Sequence, residues 1–250
     1  MTEPSAGTEL TVASWNIHAG RGLDGAYDLS RIIDVIEACD PDVIGLQEVD
    51  RQFRARSSFD DQIEILAEEL GMNYRFGGNI QSDEDSDGAY GIATLVDESW
   101  PIVESTHSLL PTVPDRASEL EQRGLLTTRC AIGDSTFVLL NTHLGLDAEE
   151  RNRQIESVLE VIRETSDPLV LVGDMNARPE SEPIRRLKEQ LVDIQPSADD
   201  PMGGTHPTDD PEKRIDYLLV SPAIAAGTTK LVASTASDHA LIAAELTIPN

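Results

Sequence analysis

Two periodicities of apolar and polar positions alternate along this chain of 250 residues. Short runs rich in Val, Ile and Leu, bounded by Gly, Pro, Asp or Asn, predict strands at 10–16, 42–48, 91–96, 125–132, 136–143, 169–173, 215–220, 228–233 and 241–247. In "CAIGDSTFVLLNTH" the pair Gly133-Asp134 splits two such runs and predicts a hairpin. Elsewhere the spacing is helical. Leu29, Ile32, Ile33 and Ile36 fall at i, i+3, i+4 and i+7, with Asp28 or Ser30 as the cap. Ile63, Leu66, Ala67 and Leu70 repeat that spacing and stop at Gly71, and Ile155, Val158, Leu159 and Ile162 repeat it again. Ile184, Leu187 and Leu191 make a shorter helix after Pro183.

Strands and helices mixed in this order predict an α+β fold in which helices cover sheets around one core. Residues 81–88 ("QSDEDSDG") and 196–213 read as loops, and residues 1–8 as a flexible tail. Neither loop separates regions of different character, so one domain spanning 1–250 is expected.

Composition changes the picture through charge. Asp and Glu number 46 against 19 Lys and Arg, a formal net charge of −27. The lysines are Lys188, Lys213 and Lys230 alone. An acidic surface stripped of lysine points to a protein that works in molar salt, where the Debye length falls to about 3 Å and self-repulsion is screened. The plainer alternative is an acidic protein of ordinary habitat. Acidity normally argues against nucleic acid, whose phosphates need positive charge; under salt adaptation that argument weakens. Cys39 and Cys130 form no disulfide or zinc pattern and read as small core hydrophobes. "MTEPSAGTEL" lacks the pattern of a signal peptide and no apolar run reaches membrane length, which makes a cytoplasmic protein the default.

The ends of the predicted strands carry the candidate chemistry. "VASWNIH" ends on Asn16 and His18, "DVIGLQEVD" on Gln47 and Glu48, "VLLNTHLG" on Asn141 and His143, and "LVLVGDMNARP" on Asp174 and Asn176. "RIDYLLVS" carries Asp216 into an apolar run, and "STASDHALIAAEL" sets Asp238 and His239 before the last strand. Each has a bland reading: Asp174 and Asn176 could form an Asx-turn, and His143 could be a satisfied core histidine. Asp216 needs a partner if buried, and His239 suits it, since a carboxylate fixes the imidazole tautomer. Turn chemistry explains one such end; it does not explain acids, amides and imidazoles at six of them.

Together, "SWNIH", "DVIGLQEVD", "NTHLG", "GDMNARP", "RIDYLLVS" and "SDH" resemble, in order, the motifs of the endonuclease/exonuclease/phosphatase family of metal-dependent phosphohydrolases. The resemblance implies a four-layer α/β/β/α sandwich of two packed mixed sheets, like that of deoxyribonuclease I. It implies metal-binding roles for Glu48, Asn16 and Asp238, with Mg²⁺ or Mn²⁺ as cofactor. It implies phosphate contact for His143, water positioning and transition-state binding for Asp174 and Asn176, and a His239 base oriented by Asp216. Arg178, Arg21 and His206 are candidate substrate contacts beside these motifs. His18 is a further candidate, whereas His107, Trp15 and Trp100 read as structural.

The chain departs from the pattern at "GAYGIATLV", where Ala89 and Ile92 stand in place of a carboxylate and an amide. If that carboxylate normally orients the "NTH" histidine, Glu121 or Asp87 would have to substitute. The reading is a phosphoesterase that attacks phosphorus with water, its phosphate-ester substrate unassigned and its oligomeric state open. The alternatives are a DNA or abasic-site endonuclease, which the absence of a basic stripe disfavours, and an inactive member that binds without turnover. In an extended chain, residues i and i+2 point the same way, so Asp174 and Asn176 would face one phosphorus if strand geometry persists past Gly173.

Overall fold

A computed structural model describes residues 7–83, 87–133, 135–195 and 203–249. The predicted turn residue Asp134 and parts of the loops at 81–88 and 196–213 lie outside them, as does most of the predicted tail. In chain order the elements are β1 (Thr8–Asn16), α1 (Leu29–Cys39), β2 (Val43–Arg51), α2 (Gln62–Leu70), β3 (Met72–Gln81) and β4 (Ala89–Asp97). They continue with β5 (Ile102–Leu109), β6 (Gly124–Ile132), β7 (Ser135–His143), α3 (Ala148–Glu164), β8 (Leu169–Asp174) and α4 (Glu182–Leu187). The last are β9 (Val192–Asp193), β10 (Asp216–Val220), β11 (Ala225–Val232) and β12 (Leu241–Ile248).

Two six-stranded sheets result, ordered β11-β12-β1-β2-β4-β3 and β5-β6-β7-β8-β10-β9. Alternation along each strand builds the layers. In β1, Val12 faces the second sheet, whereas Ala13 and Trp15 face the helices. In β8, Val170 and Val172 face the first sheet, and Leu169 and Leu171 the other way. Ile32 and Ile36 of α1 and Ile63 and Leu66 of α2 cover the first sheet. Ile155, Val158 and Ile162 of α3 and Ile184 of α4 cover the second. The expected α/β/β/α sandwich is therefore the fold.

Local signals placed the helices. Asp28 caps α1, accepting from Ser30 N at 3.0 Å, and Gly71 ends α2 at φ +64°. Three strands were not predicted: β3, β5 and β9. All lie on sheet edges, where one side faces water and the apolar run is diluted. Thr8 does not belong to a tail, since it pairs with Ile248 in β1. Cys130 is buried in β6 and Cys39 half-buried in α1, both unpaired.

The sheets approach closely at Gly45, where a Cβ would lie 2.5 Å from Val172 Cγ2. Beside it two amides bridge the layers. Gln47 Nε2 donates to Asn141 Oδ1 at 2.8 Å, and Asn141 Nδ2 donates to the carbonyls of Leu46 and Ala93 at 3.1 and 2.7 Å. This clamp lies directly behind the strand ends that carry the candidate site.

Candidate active site

Period two brings the site residues to one place. Val172 faces the first sheet, so Asp174, two residues on, does too; Leu218 and Asp216 of β10 follow the same rule. Register then sets three groups in a row, because His143 lies opposite Asp174 in parallel β7–β8 and Asp174 opposite Asp216 in antiparallel β8–β10. From the first sheet, parallel β1 and β2 end at the same edge, with Asn16 opposite Gln47. Asp238 and His239 arrive on the turn before β12, and Trp15 Nε1 fixes that turn by donating to His239 O at 2.9 Å.

Glu48 needs a device to join them. Leu46 faces the helices, and simple alternation would send Glu48 to the same side. Instead the β2–β4 register shifts between Gln47 and Val49, and Glu48 takes φ +58° in a bulge. Its Oε1 accepts from Asn16 Nδ2 at 3.0 Å.

Asp174 is the hub. Its Oδ2 lies 3.2 Å from Asn16 Nδ2, 3.4 Å from His143 Nε2 and 3.7 Å from His239 Nε2. Burial and the neighbouring Asp216 push its carboxyl up to about 7. His239 Nδ1 is gripped by both Asp216 oxygens, at 3.1 and 2.9 Å. Burial pulls this imidazole down, but Asp216, Asp174 and Asp238 outweigh burial and lift it to about 10. His143 goes the other way: burial, then Arg123 and His239, hold it well below the ordinary imidazole range.

Several expectations need correction. Strand geometry does not persist past Asp174. Asn176 sits at φ +46°, and its N–H donates to Asp174 Oδ1 at 2.9 Å in an Asx-turn. That turn still delivers the amide, because Asn176 Nδ2 lies 3.1 Å from His143 Nε2 and donates to Leu144 O at 2.9 Å. The Asx-turn is the reading that forms, and the extended one, in which both side chains would face one phosphorus, is not. Asn16 sits between carboxylates: its amide nitrogen faces Glu48 and Asp174, while Oδ1 accepts from His18 N at 3.0 Å. Neither suggested acid touches His143. Asp87 is exposed, and Glu121 Oε1 instead pairs with Arg123 Nη1 at 2.6 Å. Ala89 and Ile92 are buried packing residues of β4.

Around the rim, Asp238 lies 3.5 Å from His18 Nδ1 and 3.7 Å from His206 Nε2, and the His206 ring leans on His239 at 4.5 Å between centroids. Arg21 folds back onto Gly25 O at 3.0 and 3.1 Å, and Arg178 is exposed. His107 bonds to Asn79 Oδ1 at 2.9 Å and packs against Gly124, and Trp100 donates to Asp42 at 3.0 Å.

The profile of the Endonuclease/Exonuclease/phosphatase family matches residues 13–239. The chain belongs to the endonuclease/exonuclease/phosphatase family. Members of this family are generally hydrolases acting on phosphate esters. Among curated proteins, the chain is 29% identical over 192 residues to protein cwh43 of Schizosaccharomyces pombe. That match covers 75% of this chain but 18% of the much longer relative. Among solved structures, an endonuclease/exonuclease/phosphatase from Beutenbergia cavernae superposes with TM-score 0.83 and 25% identity, over 97% of this chain and 72% of that one. A mannosyl-6-phosphatase from Bacteroides thetaiotaomicron superposes with TM-score 0.76 at 22% identity, over 96% and 100% of the two chains, and shares the fold.

Endonuclease/exonuclease/phosphatase enzymes typically use a divalent metal. The groups here fit one. Glu48, Asp174, Asp216 and Asp238 supply hard oxygens, the donors that Mg²⁺ and Mn²⁺ prefer. Two sets of groups, His206–Asp238–His239 and Asp174–Asp216–His239, offer ligand atoms within 4.8 Å of one another. Among the described residues no helix is long and apolar enough to cross a membrane.

Sequence reasoning missed one residue of this site, Arg123. A countable signal pointed to it: with Gly133-Asp134 as the turn, the predicted hairpin sets residue 124 opposite 143, and Arg123 beside that pair. The observed register, Leu125 opposite Thr142, agrees.

Proposed function

We propose that this protein is a metal-dependent phosphoesterase in which water attacks phosphorus in line. The observation that carries the reading is Asp174 Oδ2, held within 3.2 to 3.7 Å of Asn16, His143 and His239 by strand ends from both sheets. Asp216 holds the Nδ1 proton of neutral His239, which leaves Nε2 as the base that takes the proton of water. Asp174, beside that nitrogen, orients the water. His143 and Asn176 donate hydrogen bonds to the phosphoryl oxygens as negative charge builds there. Glu48, braced by Asn16, would be the principal ligand of Mg²⁺ or Mn²⁺, and Asp238 a further one. When bound, such a cation neutralises charge on the phosphoryl group and on the carboxylates that hold His239 protonated. His206, His18, Arg178 and Arg21 are the candidates for recognising the rest of the substrate.

Turnover of bis-p-nitrophenyl phosphate and p-nitrophenyl phosphate tests the reading, in molar salt with Mg²⁺, Mn²⁺ or chelator. Metal-dependent release of p-nitrophenol is expected, with a loss of about 10²- to 10⁴-fold in His239→Ala, the range for removing a general base. If neither ester, nor nicked or abasic DNA, is cleaved with either metal, the protein is not a phosphoesterase but an inactive binding relative.

A further inference from the structure

On the side away from β8, strand β10 begins with no full strand beside it. Its neighbour β9 is two residues long and pairs only with Leu219 and Val220. A buried backbone N–H needs an acceptor, and side chains take the place of the missing strand. Gln195 Oε1 accepts from Leu218 N at 3.3 Å. Thr205 Oγ1 accepts from Ile215 N at 3.1 Å and from Asp216 N at 3.2 Å. Its own proton goes to Lys213 O at 3.4 Å. A hydroxyl has one proton and two lone pairs, so all of its capacity is used. Thr205 is fully buried.

The backbone of the same residue reaches the chain that carries His239. Thr205 O accepts from Ala240 N at 2.8 Å, and Asp238 O, on the other side of His239 in the chain, accepts from Thr208 N at 2.8 Å. Asp216 and His239 are therefore joined twice. One link is direct, between Nδ1 and Oδ2 at 2.9 Å, and the other runs through Thr205. The two ends of that second link use different atoms. Any residue at 205 offers a carbonyl to Ala240, but the end at Asp216 needs the hydroxyl. His206 is held separately, by its own bridge to Lys213, with N···O distances of 3.0 and 2.9 Å.

We propose that Thr205 is a positioning residue whose hydroxyl ties the chain at Asp216 to the chain at His239 and so fixes the spacing of that pair. The inference rests on the phosphoesterase reading for its kinetic consequence, but its core is a statement about a backbone link. The contact between Asp216 and His239 aims the imidazole only if both chains stay in place. Asp216 is the first residue of its strand, and His239 lies on the turn before β12, so the sheets alone hold neither from both sides. The hydroxyl supplies what the short β9 does not. Without it both side chains remain, but the distance between them is free to vary. A displacement of about 1 Å at a reacting group costs up to about 10² in rate.

Amide hydrogen exchange read by ¹H–¹⁵N spectra tests the link, together with turnover of the two p-nitrophenyl esters with Mg²⁺ or Mn²⁺. Thr205→Val keeps the shape of the side chain and loses the hydroxyl. It should speed exchange at Ile215 and Asp216 by about tenfold or more, while the core amides of β8 keep their wild-type rates. Its kcat should fall by about 10- to 100-fold. KM should stay within about threefold, because the bridge that holds His206 does not use the hydroxyl. Thr205→Ser keeps the hydroxyl and should restore the slow exchange and most of the rate. If circular dichroism shows Thr205→Val unfolded, Thr205→Ala takes its place. Unchanged exchange at Ile215 and Asp216, full kcat in Thr205→Val, or no rescue by Thr205→Ser overturns the proposal. So does exchange that quickens equally throughout the protein, which would mean a general loss of stability. If the wild type turns over no ester, the phosphoesterase reading fails, and the exchange rates still decide whether Thr205 holds the chain at Asp216.

Discussion

At the residue scale, the contact between His239 and Asp216 has a pH signature. In the metal-free protein the imidazole is lifted from about 6.5 to about 10. A raised value means that the folded state holds the proton more tightly than the unfolded chain. The resulting stability is fully present below about pH 6.5 and is lost as pH rises to about 10. Urea unfolding in chelator should therefore show stability falling across that window by more than about 1.4 kcal/mol, the equivalent of one pH unit. Asp216→Asn should flatten the slope; an unchanged slope would place the coupling elsewhere. This pair was legible in the sequence, because a carboxylate inside "RIDYLLV" demands a partner. The backbone of Asn176 was legible only as one of two readings, an Asx-turn beside an extended strand, and the turn with φ +46° is the one that forms. Arg123 was visible only by counting hairpin register.

At the scale of elements, the bulge in β2 reverses the direction that alternation would give Glu48, at the cost of a left-handed backbone at a residue with a Cβ. Such a residue costs about 1 to 3 kcal/mol relative to an unstrained one. Glu48→Gly should consequently keep or raise thermal stability, by up to about 1 kcal/mol, while abolishing metal-dependent turnover. A clear loss of stability would mean that the side chain supports the bulge. The amide clamp between the sheets predicts the contrary behaviour. Asn141→Ala leaves Gln47 and the carbonyls of Leu46 and Ala93 buried without their partner, and should cost about 2 kcal/mol or more in denaturant unfolding. Both amides stood out in the sequence as polar strand ends, but their work is structural. What told them apart from Asp174 and His143 is distance from the sheet edge, which a linear reading does not measure. The same limit hid β3, β5 and β9, whose half-wet edge positions weaken the apolar signal.

At the scale of the whole molecule, a net charge of −27 on 250 residues sets the conditions for every assay. Few cations counter this charge, so much of the repulsion must be screened by the solvent. Melting temperature should rise steeply between low salt and molar KCl, beyond the modest gain that an average protein shows. A flat profile would argue for ordinary habitat and against salt adaptation. Family membership, fold and the positions of Glu48, His143, Asp174, Asp216 and His239 were all legible from six short motifs. What recognises the substrate was not, because rim residues such as His206 and Arg178 follow no pattern that the core dictates.

The row His143–Asp174–Asp216 belongs to one sheet, and Asn16 and Glu48 to the other. The candidate groups therefore lie across a seam, and neither half carries the whole set by itself. Turnover is then a reporter of docking between the sheets. During unfolding, a state that keeps both sheets but lets them part by a few ångströms would hold its circular dichroism and lose its rate. Activity would vanish before secondary structure does, and the gap between the two curves would measure how independently the layers come apart.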